Sequence, residues 1–418
     1  MPLEYLGTNI LFEDAGRSDT LTQTLSPQRR GRKLPRRRNA YFPGLAVLPS
    51  GDLLALFVIS EAFESADATT YIARSRDLGK TWDLDGALRD LTNREETLPS
   101  SMGCRAPEEA RELEPEGIKP PEKISPEVCR SDYLKPTVLR DGTVVAVGYR
   151  FERRDPAAGI SIEKTGGILP GEDIVSFSPD EGKIWTPHRV ILRTRPELYE
   201  ISGPCLELGS GDLVAVAAPF RMPDGKNPSG QTGILLRSKD KGRIWTDDEI
   251  FFRSPGGNMT PYESRICEMQ PGRLVAIVWA YDTTADRHHP NQIAVSQDDG
   301  RTWSNPVDTG IWGQASNLIW VGGDRLMTIH AHRGENPGIF VRLVDFKGDL
   351  WTPVEEAAIY GAGSPVQTKP GQGMAEMFAA LKFGQPSLLQ LPDGGILAAH
   401  WTVEKGLGKI RTHRLHLR

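Results

Sequence analysis

One eight-residue string recurs along the chain: SRDLGKTW at Ser75 to Trp82, SPDEGKIW at Ser178 to Trp185, SKDKGRIW at Ser238 to Trp245 and SQDDGRTW at Ser296 to Trp303. A degraded fifth copy, VDFKGDLW, ends at Trp351. Each copy reads as a tight turn. The Asp carboxylate accepts backbone N–H groups inside the turn, Gly supplies positive φ, and Trp buries a large ring just after it. Repeated turns imply repeated units.

A second pattern precedes the string and occurs six times: an apolar run, a short Gly-containing turn, and another apolar run, which is how a hairpin reads in sequence. The turns centre on Gly51, Gly142, Gly211, Gly272, Gly323 and Gly394. Each unit is therefore a hairpin, a connection of variable length, and a second hairpin turned by the octapeptide, which makes four antiparallel strands. Six such sheets, with runs too continuous for a one-sided surface, predict an all-β, six-bladed β-propeller in which every blade is buried on both faces. The last unit has no octapeptide. After Gly394 only KIRTHRLHL remains as a third strand, and the N-terminal EYLGTNILF is the expected outer strand that hides its edge. The division that follows is 1–38 as closing strand plus basic arm, and 39–418 as propeller, with a Glu- and Pro-rich insertion at 83–130.

Composition excludes several classes. With a net charge of −5, the chain has no general pull towards nucleic acid, and its longest apolar runs, such as Leu274 to Tyr281, are too short to span a bilayer. The start has no basic region followed by an apolar core, so a cytoplasmic location is expected. Cys104, Cys129, Cys205 and Cys267 fall at no metal-ligand spacing and read as buried or incidental thiols. No feature demands a cofactor, and no calcium-ligand loop is present. RRGRKLPRRR, at Arg29 to Arg38, holds seven basic residues in ten. It reads as a solvated arm, a funnel for an acidic substrate, or a nucleic-acid patch, in that order. Oligomeric state is not written in the sequence.

In an antiparallel meander the Gly turns and the octapeptides share one end, so chemistry belongs at the other. There the inner strands begin, and the loops after strand two line the central mouth.

NAYFPGLAVLPSGDLLALF followed by SRDLGKTW resembles the first blade of the sialidase (neuraminidase) superfamily, with its Asp-box repeats, and the resemblance covers nearly the whole chain. It implies a sialidase-like propeller, a carbohydrate ligand, and a check of each catalytic position. Where the family carries the first arginine of its carboxylate-binding triad, this chain has Tyr41, Phe42 and Pro43. Glu263 stands in the place of the Glu that opens the fourth inner strand, Trp279 replaces the second arginine, and Gln385 with Pro386 replaces the nucleophilic Tyr-Ser pair. The third arginine has no counterpart between Gly313 and Gly323. Asp67 loosely matches the general-acid Asp and shares its loop with Glu61 and Glu64.

Neither Tyr41 nor Trp279 can grip a carboxylate bidentately. Arg150, Arg221 and Arg333 lie at even offsets from their hairpin glycines and are expected to point at one mouth as a substitute clamp, unless each merely pairs within a loop. Glu263, beside Tyr262, is the leading catalytic candidate against a structural carboxylate paired with Arg265. Two carboxylates across a sugar suffice for glycoside hydrolysis. Single histidines (His288, His289, His330, His332, His400) read mainly as packed or surface rings. The expected function is a sialidase-like, exo-acting glycoside hydrolase on a terminal acidic or unusual sugar. The alternatives are a polysaccharide lyase acting on a uronate and a non-catalytic glycan- or protein-binding propeller.

Overall fold

The structure is a computed structural model that describes residues 3–14, 38–92, 129–155, 159–283, 285, 287–362, 364 and 380–418. It is a six-bladed β-propeller whose blades are antiparallel sheets built on four strands. The inner strands are Asn39–Val47, Cys129–Val138, Tyr199–Glu200 with Leu206–Glu207, Met259–Gln270, Ser316–Trp320 and Phe383–Gln390. Each pairs with the strand that follows its Gly turn.

The octapeptides turn the outer hairpins through one set of bonds, repeated in all four full copies. In the second copy Ser178 Oγ donates to Asp180 Oδ1 (2.8 Å), Gly182 N donates to Ser178 Oγ (2.8 Å), and Ile184 N donates to Asp180 Oδ1 (2.9 Å). Trp185 Nε1 donates to the Gly182 carbonyl (2.9 Å). Positive φ is carried by two residues in a row, Glu181 (62°) and Gly182 (84°), as at Leu78–Gly79, Lys241–Gly242 and Asp299–Gly300. This is the backbone hand that matches the twist of the flanking strands. The degraded copy lacks the Ser and Asp at these positions. Its positive-φ pair is shifted to Gly348–Asp349.

Strand alternation explains the core. In Leu53–Ser60, Leu53, Ala55 and Phe57 pack towards the sixth blade beside Leu397 and Trp401. Leu54 and Leu56 pack towards the second blade beside Val144 and Ile174. A period of two thus serves both neighbours, and every pair of adjacent blades encloses its own apolar cluster. Each octapeptide Trp fills the cluster shared with the preceding blade, as Trp185 does between blades one and two.

Leu3–Phe12 pairs with Leu407–Leu417 and supplies the outer strand of the sixth blade. Of the segment expected as an insertion, 83–130, the first five residues are ordinary propeller: Asp83–Ala87 pairs with Thr69–Ser75 as the outer strand of blade one. Its alternating Asp and Leu residues form a half-exposed strand that turn-rich flanks obscure in the sequence. Residues 93–128, and most of the basic stretch, lie outside the described residues. Arg38, at the end of that stretch, is buried, with its guanidinium over the rings of Phe12 and Tyr71. Among the described residues no helix is long and apolar enough to cross a membrane.

Candidate functional site

Three inner strands break register at the same place. Each inner strand carries one extra residue against its partner, between Tyr41 and Gly44, between Tyr262 and Arg265 and between Gly384 and Ser387. Inside each bulge one non-glycine residue is forced to positive φ: Phe42 (57°), Glu263 (44°) and Gln385 (34°). Ala315 (94°), just ahead of the fifth inner strand, is a fourth. Such conformations cost of order 1–3 kcal/mol each and persist only where surrounding contacts enforce them. Here they turn side chains of blades one, four and six towards the axis.

The contacts that enforce them are polar and cross between blades. Gln385 Nε2 donates to Glu263 Oε1 (2.8 Å), joining blades six and four. The Glu263 N–H donates to Glu200 Oε2 of blade three (3.3 Å). Arg265 is 4% exposed and donates through one nitrogen to Ser202 Oγ and to the carbonyls of Glu263 and Ser264. Lys135 of blade two donates its Nζ to the Phe42 carbonyl. Its stem passes Gly44, where an added Cβ would lie 2.8 Å from Lys135 Cδ and Pro136 Cδ. Arg333, 5% exposed, donates Nε to the Phe383 carbonyl (3.2 Å) and packs on Gly384.

Burial sets the protonation. It pushes Glu64 up to about 8, with Glu263 adding to the rise and Arg153 opposing it. It likewise takes Glu200 to about 8, with Glu263 again adding and Arg265 opposing. Desolvation lowers Arg333 to about 10 although Glu263 pulls the other way. Three carboxylates from three blades therefore share one field with Arg153, Arg265 and Arg333. Two of those carboxyls are shifted towards the neutral acid at neutral pH.

An aromatic wall stands beside them. Tyr262 contacts Trp279 (5.4 Å between centroids), and Trp279 stacks on His288 (5.4 Å). Trp279 Nε1 donates to His288 Nδ1 (2.9 Å), so the neutral ring carries its proton on Nε2, against the side-chain amide of Gln314 (3.2 Å). Burial and Glu200 raise Tyr262 to about 12. Tyr41 is 5% exposed, edge-on to Phe63 and Trp401.

No protein-family model matches the sequence, and no curated protein sequence matches it. Solved structures do match. A crystal structure of a protein of unknown function from Dyadobacter fermentans is 17% identical with a TM-score of 0.66, covering 100% of this chain and 99% of that one. A sialidase from Streptococcus pneumoniae is 12% identical with a TM-score of 0.60, over 97% of this chain and 70% of that one. An α-L-arabinanase from Penicillium chrysogenum, complexed with arabinobiose, is 15% identical with a TM-score of 0.56, over 90% and 93%. The fold is that of the sialidase-like propellers.

In this sialidase-like propeller Glu263, Tyr262, Trp279, Gln385 and Arg333 come together at the axial end of the inner strands. Asp67 accepts from Glu61 N (3.0 Å) and Ser65 Oγ (2.5 Å), which braces its own exposed loop, and it lies within electrostatic reach of Tyr41. Glu64 of the same loop, at φ 54°, is the acid that shares a field with Glu263 and Arg153. Arg150 forms a cross-strand pair with Glu172 (2.6 Å) and does not join Arg333. Strand two of the second blade runs without a bulge, so Tyr149, Phe151 and Arg153 share the face opposite Arg150, and Arg153 donates to the Glu64 carbonyl (3.0 Å). Arg221 is exposed at the rim, within electrostatic reach of Tyr262. The even-offset clamp is thus not assembled as expected.

His330 and His400 are packed rings, each lowered to about 3 by burial. Lys135, Arg153 and Glu200 were missed in the sequence. The available signals were a lysine inside an otherwise apolar strand start and a Glu ending the Tyr-Glu pair before Gly203. Among the described residues no group of His, Cys, Asp or Glu side chains could hold a metal ion. Cys205 and Cys267 are buried free thiols.

Proposed function

We propose that the chain is an exo-acting glycoside hydrolase for a terminal acidic sugar, working through two carboxyl groups and without a tyrosine nucleophile. The observation that carries this reading is the amide of Gln385 donating to Glu263 where the family would place its tyrosine. That bond fixes the orientation of the Glu263 carboxyl. Glu263 is then the nucleophile or base at the anomeric carbon. Glu64, kept protonated by burial, is the acid that protonates the leaving oxygen. Arg333 and, at the rim, Arg221 face the anionic substituent, and Trp279 with Tyr262 lines the apolar face of the ring. The carbohydrate-acting neighbours of the same fold support a carbohydrate ligand.

The test is product mass after incubation with sialylated and uronate-ended oligosaccharides, with Glu263→Gln as control. A released sugar with water added, absent from the control, is the expected result. An unsaturated sugar would instead assign a lyase, and unchanged substrate that still binds would assign a glycan-binding propeller.

A further inference from the structure

The end of the ring where the octapeptides turn holds a cavity that the axial chemistry does not use. It has a volume of about 380 Å³, lies between blades two and three, and is walled by the Gly turn of blade two, by Arg189 and by the third octapeptide. Leu139 and Phe177, both buried, form its apolar floor. Gly242 packs on the Phe177 ring, where an added Cβ would lie 3.3 Å away, and Trp245 joins the same cluster, so the third octapeptide is fixed against blade two. Of the four full copies, this one alone carries cations at all three variable positions, Lys239, Lys241 and Arg243. With Arg189 opposite, four cations meet two carboxylates, and both carboxylates are already engaged. Asp240 Oδ1 accepts from Ser238 Oγ and from the Arg243 and Ile244 N–H groups inside its own turn. Asp141 accepts from Lys241 Nζ and from the Thr143 N–H. Among the described residues, Arg189, Lys239 and Arg243 pair with no carboxylate, whereas Arg76 of the first copy pairs with Asp83 (2.8 Å) and Arg301 of the fourth with Asp299 (3.6 Å). A cleft lined by one sign of charge over low-dielectric walls concentrates ions of the other sign, even on a chain whose net charge is −5.

We propose that this cavity is a second binding site, separate from the axial mouth, for a compact organic anion: a carboxylate or a phosphate ester on a sugar-sized body. The guanidinium groups of Arg189 and Arg243 take the oxyanion, Lys239 adds charge, and the body of the ligand rests on Leu139 and Phe177. The backbone that carries the cations is set before any ligand arrives. Arg189 lies on a strand paired with Ile174–Val175, and Lys239 and Arg243 flank a turn closed by its own hydrogen bonds, so binding orders side chains only. The site stands independently of the hydrolase reading.

The experiment is calorimetric titration of the full chain with glucuronate, with glucose 6-phosphate and, as the neutral control, with glucose. Wild type is compared with the double variant Arg189→Gln/Arg243→Gln, with Lys239→Gln, and with Arg221→Gln at the rim of the mouth. At least one of the two anions is expected to bind wild type saturably, more weakly as salt is raised, while glucose does not bind. Affinity should fall about tenfold or more in the double variant and about threefold in Lys239→Gln, and hold in Arg221→Gln. Binding of glucuronate alone identifies a carboxylate ligand, and of glucose 6-phosphate alone a phosphate ester. The substituted side chains make no ion pair, so the double variant should unfold at the wild-type temperature; if it does not, Lys239→Gln decides. Binding of neither anion, or equal binding of glucose, overturns the proposal. So does an affinity kept in the groove variants, and its loss in Arg221→Gln would then place the anion in the mouth.

Discussion

At the scale of single residues, the site is made by strain and desolvation acting together. Phe42, Glu263 and Gln385 each occupy a backbone region that side chains avoid. What holds them there is a set of hydrogen bonds between blades that would be worth little in water and more in a closed mouth. The consequence for Glu64 is a specific pH dependence. Its carboxyl, raised to about 8, is an acid at neutral pH, so kcat/KM should fall as pH rises through about 8. Glu64→Gln should lose about 10²–10⁴-fold in kcat on substrates with poor leaving groups, and far less on an activated aryl glycoside. Equal losses on both substrates would remove Glu64 from the acid role. Glu263 stood out as a candidate through the resemblance of its blade to the sialidase pattern; that it lies in a bulge inside Met259–Gln270 was not legible. Glu64 was legible only as one of three acids in a loop, because the groups that perturb it, Arg153 and Glu263, come from blades distant in the chain.

At the scale of elements, the octapeptide is a self-contained device. Its Ser and Asp satisfy the turn's own N–H groups, its Gly takes positive φ, and its Trp returns as a wedge between blades. Trp185 is 1% exposed, and Trp185→Ala should destabilise the protein by about 3–5 kcal/mol with activity at low temperature preserved. Denaturant unfolding measures the first and the mass assay the second; loss of activity in a variant still folded would contradict a purely architectural role. Gly44 belongs to the opposite end. Gly44→Ala places a methyl 2.8 Å from Lys135 Cδ, so kcat should drop at least about tenfold with a smaller change in unfolding temperature than Trp185→Ala produces.

At the scale of the whole molecule, the ring is closed by hydrogen bonds of one defined polarity. His400 Nδ1 lies 3.0 Å from the Trp401 carbonyl and must donate to it. His400 Nε2 therefore accepts from His413 Nε2 (2.9 Å), and His413 Nδ1 accepts from the Tyr5 hydroxyl (3.1 Å) on the N-terminal strand. Burial lowers His400 to about 3 and His413 to about 4. Both folded values lie below the ordinary one, so the unfolded chain binds more protons under pH ~6.5. The stabilisation is complete above that pH and declines down to about 4, by up to about 1.4 kcal/mol per pH unit for each ring. Hydrogen exchange should show Leu3–Phe12 losing protection between pH 7.5 and 5 before the inner strands do; equal protection at both would rule this out. The sequence by itself determined the number of blades, the turns and the double-faced strands, because alternation and turn chemistry act over a few residues and need no partner. Tertiary structure alone decided that Arg150 pairs with Glu172 while Arg153 reaches the Glu64 carbonyl, and that Lys135 is fixed on the carbonyl of Phe42. Those outcomes depend on where a bulge shifts a strand and on fields summed across blades distant in the chain, and no local pattern carries either.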